Sequence, residues 1–590
     1  MRLSRLALLA ALLALPFSGA ARAEGDYGAY LAARIAGSNS DYREASTWFT
    51  RALLADPANA ALMDGAILAH LSAGNMDAAV AVARRMQGAG ATSQAAQLAL
   101  LADQAQRGEF PAILADLDAG RSIGMLLDGL TRAWAELGRG RMSEATAEFD
   151  KLAGTEGVKA FGLYHKALAL ASVGDFEGAD DILSGRAAGE LRLTRRGLIA
   201  RVQILSQLEK NADAVALLDD GFAVEVDPAI AALRDRLVAG ETLPYTIARS
   251  ATEGLSETFF TLALALNGEA DDGYTLLYAR IAAYLRADHA EAVLLSAAML
   301  ENQQQYGLAV EAYASIPPGE DGFFAAELGR ARALQASGQT EAALEVLRAL
   351  TRSNADLVSV HLALADALRR EERWAEAITS YDAAVALAGE PKPEDWGIYY
   401  SRGIAHERLK DWARAEPDFR QALALNPDQP QVLNYLGYSY IDRNENLVEA
   451  LSMIERAVAQ SPDSGYIVDS LAWGLFRLGR YAEALEPMER ASLLEPVDPT
   501  VTDHLGDVYW AVDRKMEARF QWRRALSFDP DEDLAARIRK KLEIGLDAVL
   551  VEEGAPALQE VAAEAPPPTV PVAPVTPEPG VAPAPAPDAD

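Results

Sequence analysis

Small residues recur along this chain at a nearly fixed interval. Ala343, Ala377, Ala415, Ala450, Ala484 and Ala518 follow one another at 34, 38, 35, 34 and 34 residues. Four positions after the last five stand Tyr381, Phe419, Ile454, Met488 and Trp522. Seven positions after them stand Ala384, Ala422, Ala457, Ala491 and Ala525. Prolines close the pattern at Pro427, Pro462, Pro496 and Pro530. Upstream of four of the markers a Leu and a small residue form a pair: Leu364-Ala365, Leu436-Gly437, Leu471-Ala472 and Leu505-Gly506. Spacings of three, four and seven place these residues on one face of an α-helix. A small residue lets two helices cross closely, and proline ends a helix because it cannot donate the backbone bond. Each interval is therefore one helical hairpin and a turn. One hairpin cannot bury its apolar face alone, so successive hairpins must stack.

The alternation of small, large and proline at a 34-residue period resembles the tetratricopeptide repeat. The resemblance implies an all-α fold, a right-handed superhelix (α-solenoid) of stacked helical hairpins with a groove lined by first helices. It is densest from about 325 to 530. It returns at the start, where Ala45, Phe49, Ala52 and Pro57 keep the spacing and Ala79 lies 34 residues beyond Ala45. Ala145 and Ala179 are again 34 apart. Residues 220–300 match poorly, and "GETLPYTIARSATEGLSETFF" lacks the turn-and-alanine pattern. The expected division is a leader at 1–23, an N-terminal array at 24–219 and degenerate repeats with a candidate hinge at 220–300. A C-terminal array with a capping helix at 301–545 and a Pro/Ala-rich disordered tail at 546–590 complete it. The "RKK" of the last helix is expected to face solvent.

"MRLSRLALLAALLALPFSGAARA" reads as a secretory signal peptide cut after Ala23: two arginines, an apolar run, then small residues. The run is too short to span a bilayer, and no other segment is long and apolar enough to do so. The style of the leader points to the periplasm of a Gram-negative bacterium. The chain has no cysteine, so no lipid can be attached after the leader and thiol chemistry is excluded. Its formal net charge of -32 opposes nucleic acid and anionic lipid and favours basic partners.

No catalytic, cofactor or metal constellation stands out. The six histidines, His70, His165, His289, His361, His406 and His504, keep no ligand spacing. No phosphate loop or nucleophile elbow occurs, and the glycine clusters lack the preceding strand of a dinucleotide site. Asp469 and Asp503 hold equivalent places on successive first helices, a pair that reads more simply as groove lining than as acid–base machinery. The chain reads as a non-enzymatic binder of proteins. Offsets from the Leu-small pairs put Asn434, Tyr438, Tyr466, Asp469, Trp473, Phe476, Arg477, Asp503, Asp507 and Trp510 on the groove. Aromatics at such positions anchor interfaces and Asn434 can hold a peptide backbone. The other reading of Trp473, Phe476 and Trp510 is that they pack on the capping helix or the next hairpin.

The run at 430–530, with "DSLAW", "RLGRY" and "HLG", is similar to the carboxyl-terminal half of a group of large envelope proteins built from this repeat. Some members are outer-membrane lipoproteins that bind a carboxyl-terminal processing protease and deliver peptidoglycan hydrolases to it. The resemblance implies a periplasmic scaffold or adaptor with such a protease and cell-wall hydrolases as partners. The missing lipid-bearing cysteine departs from those members. The alternative is an assembly factor for an envelope machine for secretion, polysaccharide export or wall synthesis.

Overall fold

The computed structural model describes residues 21–187, 189, 191–222, 228–555 and 558. The leader up to residue 20 and the Pro-rich stretch from 559 lie outside these. Among the described residues every regular element is helical. They form two compact units, residues up to 389 and residues from 390.

The repeat markers explain the packing. Ala377, Ala415, Ala450, Ala484 and Ala518 are fully buried, as are Phe419, Ile454, Met488 and Trp522. Three of these large side chains fill the space above a glycine on their hairpin's first helix. A Cβ on Gly403 would come 2.8 Å from the Phe419 ring, and one on Gly437 2.8 Å from Ile454. Gly506 meets the Trp522 indole in the same way. The small member of the pair is thus the seat of the large one. The turn inside each hairpin needs a left-handed residue, supplied by Gly338 and Gly479 and elsewhere by Glu372, Lys410, Asn444 and Asp513.

Residues 220–300 do not act as a simple link. Helices Ala251–Leu266 and Asp272–Leu285 run back along the face made by earlier first helices. The first packs on Met125–Gly138 and Lys159–Ser172, the second on Ala60–Ala73 and Gln94–Gln106. Leu255, Phe259, Phe260, Leu277 and Ile281 join the core of that unit. The expected hinge is therefore a filling, and the division between units falls at 389 rather than near 300. The missing repeat pattern has the same cause, because these helices obey the face they fill and not a neighbouring hairpin.

Two further expectations change. Residues Leu546–Glu552, assigned to the tail, form a helix whose Leu546, Val549 and Leu550 are buried. Of "RKK", Arg539 and Lys540 are exposed, but Lys541 is wholly buried.

Candidate protein-binding groove

In the unit from residue 390, first helices Trp396–Arg408, Pro430–Asp442, Gly465–Arg477 and Pro499–Ala511 contribute to a cleft of about 580 Å³. Asn434, Tyr438, Tyr466 and Asp469 line it as the repeat offsets predict. Glu407, Lys410, Trp412, Tyr435, Thr500 and His504 also line it. Tyr466 is exposed, whereas Asn434 and Tyr438 are half-buried. The Asn434 Oδ1 is buried and meets no donor among the described residues. A buried amide without a partner costs free energy that a ligand's N–H recovers. The Tyr438 phenol is pushed up to about 12 by burial and by the Asp469 and Asp442 carboxylates. It stays neutral and able to donate. The wall is built by Tyr435, whose hydroxyl donates to Glu407 Oε2 at 3.0 Å, and by Trp412, covered by the Arg443 guanidinium at 4.8 Å.

The floor is charged and ordered. His504 Nδ1 sits 3.0 Å from both oxygens of Asp469. Burial alone would depress this imidazole, but Asp469, then Asp503 and Asp507, outweigh it and raise its pKa. Its ring stacks on Trp473 at 4.0 Å, and Trp473 stacks on Phe476 at 4.8 Å. Trp473 is half-buried and belongs to the rim of the core, outside the cleft lining.

Four predicted groove residues lie inside the unit instead. Asp503 accepts from Lys541 Nζ at 2.6 Å on both oxygens. Asp507 accepts from the same Nζ at 2.6 Å and from Trp522 Nε1 at 2.9 Å. Burial, then the Asp507 charge, pushes the Asp503 carboxyl up to about 6 despite Lys541. Trp510 donates to Asp547 Oδ2 at 2.7 Å and packs on Trp522 and Gly545. Phe476 is core. Asp503, Asp507 and Trp510 share one physical reason, that the capping helix Glu532–Ile544 and the helix after it cover the last hairpin, whereas Phe476 packs on Trp473 and Tyr481 of its own hairpin. Asp469 meets His504 and Asp503 meets Lys541, so they form no carboxylate pair. Arg477 is half-buried beside Tyr438 and is not among the lining residues.

Sequence reasoning missed His504 and Tyr435. Each directly precedes the Leu of a Leu-small pair or lies beside it, a position the groove offsets skipped. The "HLG" motif carried the signal for His504.

A family model described as tetratricopeptide repeat matches residues 30–95, 328–395 and 400–465. Those three segments, about a third of the chain, are what resembles tetratricopeptide repeats. The chain is 30% identical over 210 residues to the TPR repeat-containing protein PA4667 of Pseudomonas aeruginosa. That alignment spans 35% of this chain and 35% of the relative, so about a third of the relative's length is matched. A solved tetratricopeptide repeat protein from Parabacteroides merdae is 17% identical at TM-score 0.36, covering 44% of this chain and 98% of its own. The Cut9–Hcn1 hetero-tetramer provides another at 13% identity and TM-score 0.36, covering 88% and 96%. Tetratricopeptide repeats serve generally as non-enzymatic scaffolds for protein–protein contact. The first-helix cleft is the surface such repeats offer.

Proposed function

We propose that this chain is a periplasmic scaffold that captures a segment of a partner protein in the cleft of its C-terminal unit. The observation that carries the reading is the cleft itself: the free Asn434 carbonyl, the half-buried Tyr438 ring, the exposed Tyr466 ring and the Asp469–His504 pair converge on one surface. The corresponding face of the other unit is occupied by helices 251–285 of the same chain. Net charge of -32 selects partners with basic segments. Export rests on the leader sequence. The finer reading is an adaptor that presents substrates, cell-wall hydrolases among them, to a carboxyl-terminal processing protease. It rests on the run at 430–530.

The test is capture from periplasmic extract by the mature chain, with Tyr438→Ala/Tyr466→Ala as the comparison. A protease and wall hydrolases lost with the double variant support the adaptor. A fixed set of envelope-machine subunits supports assembly instead. Equal capture by both forms sinks the cleft as the binding surface.

A further inference from the structure

The sequence after the last described helix carries a pattern of its own. In "PPPTVPVAPVTPEP" (566–579), Pro568, Pro571, Pro574 and Pro577 recur every third residue. A polyproline II helix has three residues per turn, so this spacing sets four prolines on one face, one every ~9 Å along it. Proline holds φ at the value that conformation needs. A polyproline II helix makes no internal hydrogen bonds, so its carbonyls and the N–H groups between its prolines are left for another surface. Residues 559–590 also hold five acids, Glu560, Glu564, Glu578, Asp588 and Asp590, and no lysine or arginine.

The cleft of the C-terminal unit has the complementary features. Helices Pro430–Asp442, Gly465–Arg477 and Pro499–Ala511 touch in series, and the axes of touching helices lie about 8–10 Å apart, close to one turn of such a ligand. Tyr438 and Tyr466 stand on neighbouring helices, with Tyr435 and Trp412 also in the lining. Aromatic-lined grooves are what Pro-rich segments dock into. The neutral Tyr438 phenol donates to a carbonyl, and the unpartnered Asn434 Oδ1 accepts an N–H. Unbroken proline has no N–H to give, whereas the Val, Ala and Thr residues of 569–576 do. At the end of the cleft made by helix Trp396–Arg408 stand Arg408 and Lys410. Arg408 meets only Glu407, at 3.8 Å, and Lys410 pairs with no acid among the described residues. An acidic segment is repelled by the rest of a chain of net charge -32 and drawn to such an end.

The route is short. Ala555 and Leu558 pack on the core cluster that Leu471 and Trp473 border, and Trp473 stacks on His504, which lines the cleft at its other end. Residues 559–565 extend to about 25 Å and residues 566–579 in polyproline II to about 43 Å, against roughly 30 Å across four neighbouring helices. We propose that residues 566–579 of the chain's own tail lie in this cleft as a polyproline II helix. The chain enters at His504, sets the Pro568–Pro577 face on Tyr466 and Tyr438, and brings Glu578 to Arg408 and Lys410. The proposal rests on the cleft being a binding surface and names the occupant that a partner has to displace.

The probe is a fluorophore-labelled synthetic peptide of residues 564–580, followed by anisotropy. It is titrated into the full mature chain and into a form of equal length whose residues 559–590 are replaced by Gly and Ser. A tethered segment acts at roughly millimolar effective concentration, so with a Kd of about 0.1 mM the native tail should weaken the added peptide roughly tenfold. The Gly/Ser form should therefore bind the peptide about tenfold more tightly than the native chain does. Tyr438→Ala/Tyr466→Ala and Lys410→Glu in the Gly/Ser form should each weaken binding severalfold, as should glycine at the four spaced prolines of the peptide. Equal binding by both forms, or indifference to the cleft variants, overturns the tail as occupant. A block that grows with chain concentration overturns the chain's own tail in favour of a second copy's. If the peptide fails while Tyr438→Ala/Tyr466→Ala still abolishes capture from extract, the cleft binds a different segment and this proposal falls alone. If both fail, the cleft falls with it.

Discussion

The face at Trp134 and the face at Trp473 are built on one repeat register and end in opposite states. Leu130 and Tyr164 in the first correspond to Asp469 and Asp503 in the second, and Leu168 corresponds to Asp507. With apolar residues the first face is dry, and the chain fills it with its own helices. His165 there is neutral, its pKa pulled down to about 4 by burial. With carboxylates the second face raises the pKa of its histidine, which meets Asp469 and lines the cleft, while Asp503 and Asp507 turn inward to Lys541. A solenoid position is thus a socket whose occupancy is set by a few side chains, while the alanines, glycines and large residues that stack the hairpins stay constant.

The largest expected effect separates the two tryptophans. Trp134→Ala should cost about 3–5 kcal/mol, because it empties a fully packed site under helix 251–266. Trp473→Ala should cost less, about 1–3 kcal/mol, since the ring is only half-buried although it stacks on both Phe476 and His504. Chemical denaturation followed by circular dichroism measures both. Similar costs would show that the second face is as filled as the first.

Lys541→Ala comes next. It leaves Asp503 and Asp507 buried without their shared ammonium, a loss of about 3 kcal/mol. Lys540→Ala, one residue away and exposed, should be nearly neutral. Equal effects from the two lysines in a thermal melt would mean that the capping helix is turned, with its basic run in water.

That pair of lysines also marks what a sequence can disclose. The hairpins were legible because their stacking rules are local: Ala518 and Trp522 lie one turn apart on one helix and must face the same neighbour. Asn434, Tyr438, Tyr466 and Asp469 were legible because their offsets from a Leu-small pair fix their direction. Lys541 and Asp503 are 38 residues apart and meet only through the angle at which the capping helix docks. Nothing in "RKK" states which of three cations turns inward. Helix 251–266 was hidden for a similar reason. Its partners Trp134, His165 and Arg196 lie 61 to 120 residues upstream of the residues they touch, and no repeat signal links them. Trp510 misled because its offset, five residues after the Leu of its pair, turns into the stack: Phe476 and Ile441 hold the same place in the preceding repeats and are buried as well.

Acidification should drive the two units apart. His165 is depressed to about 4 from 6.5, so the unfolded chain takes the proton first and the first unit loses stability as pH falls from 6.5 to 4. Glu257, held down at about 2 by Arg196 and His289 against its burial, extends that loss to lower pH. His504 is raised, so its contribution is fully present below 6.5 and disappears as pH rises through its folded value. Asp503, raised to about 6 from 3.8, likewise favours the folded state most when protonated. Between pH 7 and pH 5 the first unit should weaken by about 2 kcal/mol while the second holds or gains. Hydrogen exchange resolved by peptide reads the two separately. His165→Gln should remove most of the first unit's dependence, and a parallel loss in both units would break the contrast.

The smallest effect on stability belongs to Tyr466, and it is the sharpest on function. The ring is exposed at the cleft and makes no hydrogen bond among the described residues, so Tyr466→Ala should change unfolding by no more than about 0.5 kcal/mol. An aromatic that stays in water without structural duty offers a large contact area at small entropic cost. Capture of partners should therefore fall severalfold on Tyr466→Ala while the melt is unchanged. The matching substitution on the first face is Leu127→Ala, at a buried core position, and it should do the reverse: lower the melt and leave capture intact. If Leu127→Ala reduced capture as much as Tyr466→Ala, the self-filled face would itself take part in binding, and the division into one closed and one open socket would not hold.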